Sequence, residues 1–339
     1  MHLDLVPVWT VILGVGVFMY VLLDGFDLGV GILSPMAHDD DTRTLMMNTV
    51  APIWDGNETW LILGSMGLLA AFPLAFAIII PALYFPILLM LLGLIFRGVA
   101  FEFRLKKTSH RHFWSLAFFG GSAVATFFQG VVLGMYVLGF TVTGRVFSGT
   151  SFDWVQPFPL ATGVGLLFGY SLLGATWLVM KTEGELQRWA RRRATIALYG
   201  VFAFIAMVSI WTPLLHRQIA DRWFSVPNIF YFAIVPIVTA AIAWATWRAL
   251  RRDADYAPFI GAMGLFAMCY LGLGISLFPY VVPYVFTLWD AAAVPSTQMF
   301  LLIGTLFLLP IIFMYIGWSY YVFRGKVTAD VGYHEYANP

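Results

Sequence analysis

Nine stretches of this chain are each long and apolar enough to cross a lipid bilayer, and no other feature limits its fold as tightly. They run approximately over residues 8–34, 55–72, 74–98, 113–140, 157–180, 194–212, 228–248, 257–280 and 297–323. A hydrocarbon core about 30 Å thick takes about 20 mainly apolar residues per helix. A helix spans because it satisfies its own backbone hydrogen bonds without water. Composition excludes a soluble packing: 60% of the 339 residues are hydrophobic and 11% are charged, against roughly 25% charged in soluble domains. The expectation is an all-α integral membrane protein with nine transmembrane helices, forming a single polytopic membrane domain over 1–339.

Two boundaries are tight. Only Phe72-Pro73-Leu74 separates the second stretch from the third, and the eighth can run on past Pro279 and Pro283 into a flap outside the membrane. Residues 1–7 contain no Lys or Arg, and the apolar run from Val8 carries Asp24 and Asp27. It therefore reads as a spanning helix rather than a cleavable signal. Orientation follows from the charges between spans. With a periplasmic N-terminus and a cytoplasmic C-terminus, only Arg145, Arg217 and Arg222 of the 19 basic residues fall outside. Arg43, the group from Arg97 to Arg111, the group from Lys181 to Arg193, Arg248 to Arg252, and Arg324 with Lys326 all fall inside.

Carboxylates within a span cost a few kcal/mol to insert, about 2.5–3.5 on insertion scales, and so mark candidate functional positions. Asp24 and Asp27 stand three residues apart on the first span and share a face. Gly25 and Gly29 beside them let another helix approach closely. The second span opens Trp54-Asp55-Gly56-Asn57-Glu58-Thr59-Trp60. Acids at a helix start are also favoured by the macrodipole, so Glu58 reads equally well as a helix-start charge. Trp54 and Trp60 argue that Asp55 is embedded near the interface. At the end of the third span, Arg97 reads as a residue snorkelling to headgroups. Glu102, between Phe101 and Phe103, reads as an ion-pair partner or as an acid at a proton entry. All of these groups fall at one level of the first three spans, and a chain of acids at one depth reads as a proton relay.

Other residue types narrow the function. The histidines His2, His38, His110, His112, His216 and His334 all fall in expected tails or loops, so no span offers an imidazole to haem iron. The single cysteine, Cys269, lies in an apolar run and reads as a small buried hydrophobe. No metal ligated by this chain is expected. The net charge of +1 gives no sign of a nucleic-acid partner.

Asp24-Gly-Phe-Asp27-Leu-Gly-Val-Gly31, followed by Ala51-Pro-Ile-Trp54-Asp55-Gly-Asn57, resembles subunit II of cytochrome bd-type quinol oxidases. The segments from Phe96 to Arg104, Gly174 to Leu186, Phe278 to Pro283, Trp289 to Ala291 and Phe323 to Val327 support the resemblance in order along the chain. Glu58 and the short loops resemble the cyanide-insensitive branch. The resemblance implies a bacterial inner-membrane, haem-free subunit paired with subunit I, which carries two haem b and one haem d. The complex oxidises quinol from the quinol pool and reduces oxygen to water, separating charge without pumping. This subunit stabilises its partner and supplies part of a cytoplasmic proton path. By position, Asp24 and Asp55 match the path carboxylates. Asp27, Glu58 and Glu102 join them as candidates, with Arg97 and Trp54 in support. In some relatives a quinone is lodged near the segment matching Trp54, and a small single-helix accessory subunit is a further expected partner beside membrane lipids. Two other readings compete: a proton-coupled secondary transporter, with Pro81, Pro86 and Pro236 marking broken helices, and a scaffold whose acids only make hydrogen bonds.

Overall fold

The computed structural model of the chain describes residues 4–106 and 110–328. Lys107 of the expected basic loop, His2 and His334 lie outside the described residues. Helix α1 (Val6–Leu33) leads through a short turn into α2 (Asp40–Asn48), α3 (Trp54–Ala71), α4 (Pro73–Ala82), α5 (Tyr84–Lys106) and α6 (Arg111–Leu138). A two-stranded antiparallel hairpin, β1 (Val142–Thr143) and β2 (Val146–Phe147), precedes α7 (Pro157–Lys181) and α8 (Gly184–Leu215). Then come α9 (Arg217–Phe224), α10 (Asn228–Phe232), α11 (Ile234–Arg251) and α12 (Ala257–Leu277). A second antiparallel hairpin, β3 (Tyr280–Val282) and β4 (Phe286–Thr287), leads through α13 (Leu288–Ala291) to α14 (Pro295–Val322).

Among the described residues eight helical segments are long and apolar enough to cross a membrane. The expected span 55–72 forms α3, which is not one of the eight. Asp55, Asn57 and Glu58 in its first two turns lower its hydropathy. The expected span 74–98 is corrected more deeply: it is two helices that meet at Leu83. Pro86 has no N–H to offer the Ala82 carbonyl, which breaks the ladder there. From that break α5 runs on to Lys106, beyond the expected end at 98. The span expected at 228–248 is likewise interrupted at Ala233, just before Pro236. The sixth span reaches back to Gly184, so Arg188, Arg191, Arg192 and Arg193 lie on helix rather than loop. His112, too, is in the first turn of α6 rather than in a loop. The eighth ends at Leu277 because the residue before Pro279 is pushed to extended backbone, φ −55° and ψ 138°.

Helix α1 is the centre of the packing. Every residue from Asp24 to Leu33 is buried, against α3, α6 and α7. The crossing with α7 is backbone on backbone: a Cβ on Gly29 would lie 1.8 Å from the Tyr170 carbonyl oxygen. The α5–α6 crossing repeats this arrangement, since a Cβ on Gly121 would lie 2.5 Å from the Gly93 oxygen. Close approach of this kind lets dispersion contacts and short polar contacts form in a medium without a hydrophobic driving force. Helix α14 is the opposite case, with only Gln298 and Ile316 buried among its 28 residues.

Candidate functional site

The tight crossings bring three helices together around one guanidinium. Arg97, in the middle of α5, is 0% exposed. Its Nη1 donates to Asp24 Oδ1 of α1 at 2.6 Å, and its Nη2 donates to Glu58 Oε2 of α3 at 2.7 Å. This corrects the snorkelling expectation. Arg97 is paired inside the bundle because α5 continues past it for nine residues, and one of the basic residues used for orientation is thereby withdrawn as a topology signal. The Arg97 guanidinium also lies 5.5 Å from the ring centre of Trp54, which stacks on Phe101 at 5.1 Å.

Asp27 is held from another side. Asn57 Nδ2 donates to Asp27 Oδ2 at 2.7 Å, and the Tyr320 hydroxyl of α14 donates to Asn57 Oδ1 at 2.9 Å. A second polar chain approaches Asp24 from α6 and α7. The Tyr170 hydroxyl donates to Gln129 Oε1 at 2.8 Å, and Gln129 Nε2 donates to the Tyr20 hydroxyl at 2.6 Å. Tyr20 is one helical turn before Asp24, so the two side chains share a face of α1. Two carboxylate oxygens in this cluster, Asp24 Oδ2 and Asp27 Oδ1, are buried without a hydrogen-bond partner, as is Arg97 Nε.

Of the other candidates, Asp55 is exposed in the first turn of α3. The second acid on Arg97 is Glu58. Glu102 is exposed on α5. Five residues past Arg97, it points about 140° away around the helix and belongs to a different face. Asn57, Tyr320, Tyr20, Gln129 and Tyr170 were not singled out as site residues by sequence reasoning. Tyr20 had a usable signal in its four-residue spacing from Asp24.

Two further ionic clusters bracket the bundle end that bears α2. Asp40 accepts from Arg104 at 2.7 Å, with Arg43 at 3.1 Å and Arg111 at 3.4 Å. Arg104 is 1% exposed and also donates to Ser115 Oγ at 2.8 Å and Thr44 Oγ1 at 3.0 Å. On the other side, Asp255 accepts from Lys326 at 2.7 Å and from Arg191 at 2.9 Å. Lys181 Nζ donates to the carbonyls of Phe323 and Gly325, the latter at 2.7 Å. The motif segments around Lys181 and Lys326 thus meet in space. Among the described residues no group of three His, Cys, Asp or Glu side chains has the arrangement of a metal site.

With this geometry in view, comparison with known proteins is decisive. The family model for cytochrome bd terminal oxidase subunit II matches residues 5–323. The chain belongs to that family. It is therefore an oxidoreductase component of the respiratory chain, a multi-pass bacterial membrane protein and a subunit of a terminal oxidase. Subunit 2 of the cytochrome bd-I ubiquinol oxidase of Escherichia coli K12 is 29% identical, with 95% of each chain covered. Subunit 2 of the cytochrome bd ubiquinol oxidase of Bacillus subtilis 168 is 30% identical, covering 94% of this chain and 96% of that one. The solved bd oxidase of Geobacillus thermodenitrificans contains a chain of the same fold, with TM-score 0.72 and 18% identity over 93% of this chain and 98% of the other. These matches extend over almost the whole chain, so the buried cluster lies inside the shared fold.

Proposed function

We propose that this chain is the haem-free subunit II of a quinol-oxidising, oxygen-reducing cytochrome bd complex, and that its buried acids carry part of the proton path from the cytoplasm. In this reading α3 is a ninth crossing, the N-terminus is periplasmic, the C-terminus is cytoplasmic, and the whole is one membrane domain in the inner membrane. Subunit I, with two haem b and one haem d, supplies electron transfer and oxygen reduction. A small accessory subunit is part of the same expectation.

The observation that carries the proton-path reading is the charge balance at Arg97. Two carboxyls, Asp24 and Glu58, are bonded to one guanidinium, and a third, Asp27, is buried three residues along α1 from Asp24 and held by Asn57. With all three ionised, the cluster would hold two uncompensated negative charges among buried groups, which is costly. Binding a proton relieves that charge, and the unpartnered oxygens Asp24 Oδ2 and Asp27 Oδ1 are the atoms free to accept it. Arg97 stays charged and passes no proton itself; it holds Asp24 and Glu58 at fixed positions between which water can carry one. Glu58, 29% exposed, is the member of the cluster open to the outside. Asp55 and Glu102, exposed on α3 and α5, are assigned to proton collection at the mouth of the path. Trp54 offers a half-buried aromatic surface of the kind that a quinone ring stacks on, and no step is routed through such a quinone.

Asp24→Asn tests the reading. The amide keeps the shape and a hydrogen bond to Arg97 but carries no exchangeable acidic proton. Turnover per haem d in the purified complex should fall about ten-fold or more with the haem spectrum intact. Normal turnover per haem d with less assembled complex would instead make Asp24 a structural acid. Helices do break at Leu83 and Ala233, the feature the transporter reading relied on; what weighs against that reading is the subunit II family match over residues 5–323.

A further inference from the structure

Asp27 owes its surroundings to a residue on the last helix. Tyr320 lies on α14, 263 positions from Asn57 in sequence, and its hydroxyl reaches Asn57 Oδ1 at 2.9 Å. An amide has one accepting end and one donating end. With Oδ1 turned to Tyr320, Nδ2 faces Asp27, 2.7 Å from Oδ2, and makes a longer contact of 3.4 Å to the Leu23 carbonyl. That orientation suits an ionised Asp27, whose oxygens only accept. A protonated Asp27 presents an O–H, and the amide serves it best reversed, with Oδ1 toward the acid and Nδ2 toward Tyr320. A tyrosine hydroxyl satisfies both orientations, because it donates to Oδ1 in one and accepts from Nδ2 in the other. Phenylalanine satisfies neither.

There is also room for the amide to reorient. A cavity of about 20 Å³ lies between α3 and α14, lined by Asn57, Ser319 and Tyr320 among polar groups and by Ile53 and Ile316 among apolar ones. One water needs about 10–15 Å³ of such space, with two or more polar partners, so the cavity takes a single water beside the pair.

We propose that Tyr320 is a positioning residue for proton uptake at Asp27, holding the Asn57 amide in whichever orientation matches the protonation of the acid, with one water in the α3–α14 cavity. The inference rests on the proton-path reading above and names two side chains that the path carboxylates alone do not include. Neither residue passes the proton; they keep the Asp27 oxygen that faces the amide hydrogen-bonded whether that oxygen accepts or carries the proton.

The test is a double-mutant cycle on the purified, haem-loaded complex, reading turnover per haem d and the KM for quinol. Tyr320→Phe should lower kcat about three- to ten-fold, leaving haem content and KM unchanged. If Tyr320 acts through Asp27, Tyr320→Phe combined with Asp27→Asn should be no slower than Asp27→Asn alone. Ile316→Ala, which loosens α14 beside the same cavity without touching Asn57, should leave kcat in place. A kcat for Tyr320→Phe equal to that of the unaltered complex, or effects that simply multiply in the double variant, would overturn the proposal. Should Tyr320→Phe fail to assemble, Asn57→Leu breaks the same contact from α3 and must show the same non-additivity with Asp27→Asn. If Asp27→Asn itself turns over normally, the proton-path role of Asp27 falls, an outcome distinct from a slow Asp27→Asn beside a normal Tyr320→Phe.

Discussion

Arg97 ties three helices with two of its nitrogens, and its removal leaves two acids facing apolar packing. Arg97→Met should therefore cost about 3–5 kcal/mol, the usual effect of stranding one side of a buried ion pair. Measured thermal stability of the complex and its yield should both fall. Adding Asp24→Leu to Arg97→Met should restore part of the loss, since the stranded charge is then gone. The sequence shows both residues as charges in or near apolar runs, and Asp24 reads correctly as an intramembrane acid. Arg97 does not read correctly, because hydropathy ends its span at 98, where Glu102 and Arg104 begin to weigh on the average. A one-dimensional window cannot register that the arginine has partners on two other helices, 39 and 73 residues away. The Tyr320–Asn57 contact is hidden for the same reason at greater separation.

At the level of helices, pattern and packing give different information. Long apolar runs locate α1, α6, α7, α12 and α14 to within a few residues. Prolines account for the breaks before α5 and α11, and the Gly25/Gly29 spacing foretells a close neighbour for α1. That neighbour is α7, and its identity needs the partner glycine, Gly174, whose Cβ would fall 2.3 Å from the Gly29 carbonyl carbon. Gly29→Ala should separate α1 from α7 and destabilise by about 1–3 kcal/mol, the range for overpacking a close-packed contact. Gly120→Ala is the matched control on α6, with nothing within 4 Å of its added carbon, and should be neutral. The thermal midpoint of the detergent-purified complex separates the two outcomes. The two short hairpins and α13 leave little trace in hydropathy, because two or three residues per strand carry no periodicity.

Across the whole molecule, the segment after α14 is fastened to two other turns. Lys326 reaches Asp255 at 2.7 Å and Glu183 at 3.8 Å, and Val327 N–H donates to the Lys181 carbonyl at 2.8 Å. The hydrogen bond from Lys326, aided by the charges of Lys326 and Arg191, holds the Asp255 carboxyl below the usual carboxylate range. A depressed carboxyl contributes its full stabilisation above the unfolded value, about pH 4, and loses it as pH falls through the lower folded value. Protection of the amides at 325–328, relative to their free-peptide exchange at the same pH, should therefore hold down to about pH 4 and fall below it. Lys326→Met should make exchange there fast already at neutral pH. Slow exchange in that variant would show that the backbone contacts of Lys181 suffice alone.

The same three-helix arrangement at Arg97 bears on how the chain enters the membrane. Synthesis runs from the N-terminus, so Asp24 and Glu58 reach the bilayer before Arg97 leaves the ribosome. An arginine at the centre of a lone helix costs about 2.5–3.5 kcal/mol to insert, and two carboxylates left without a cation carry a comparable penalty. Each charge is a poor passenger alone, and the hydrogen bonds at 2.6 and 2.7 Å form only once α5 joins α1 and α3. Helices α1, α3 and α5 are thus committed to one another during biogenesis, before the remaining helices exist. A ribosome-stalled chain long enough for α5 to have left the ribosome should already crosslink between α1 and α5, and the same nascent chain carrying Asp24→Leu with Glu58→Leu should not.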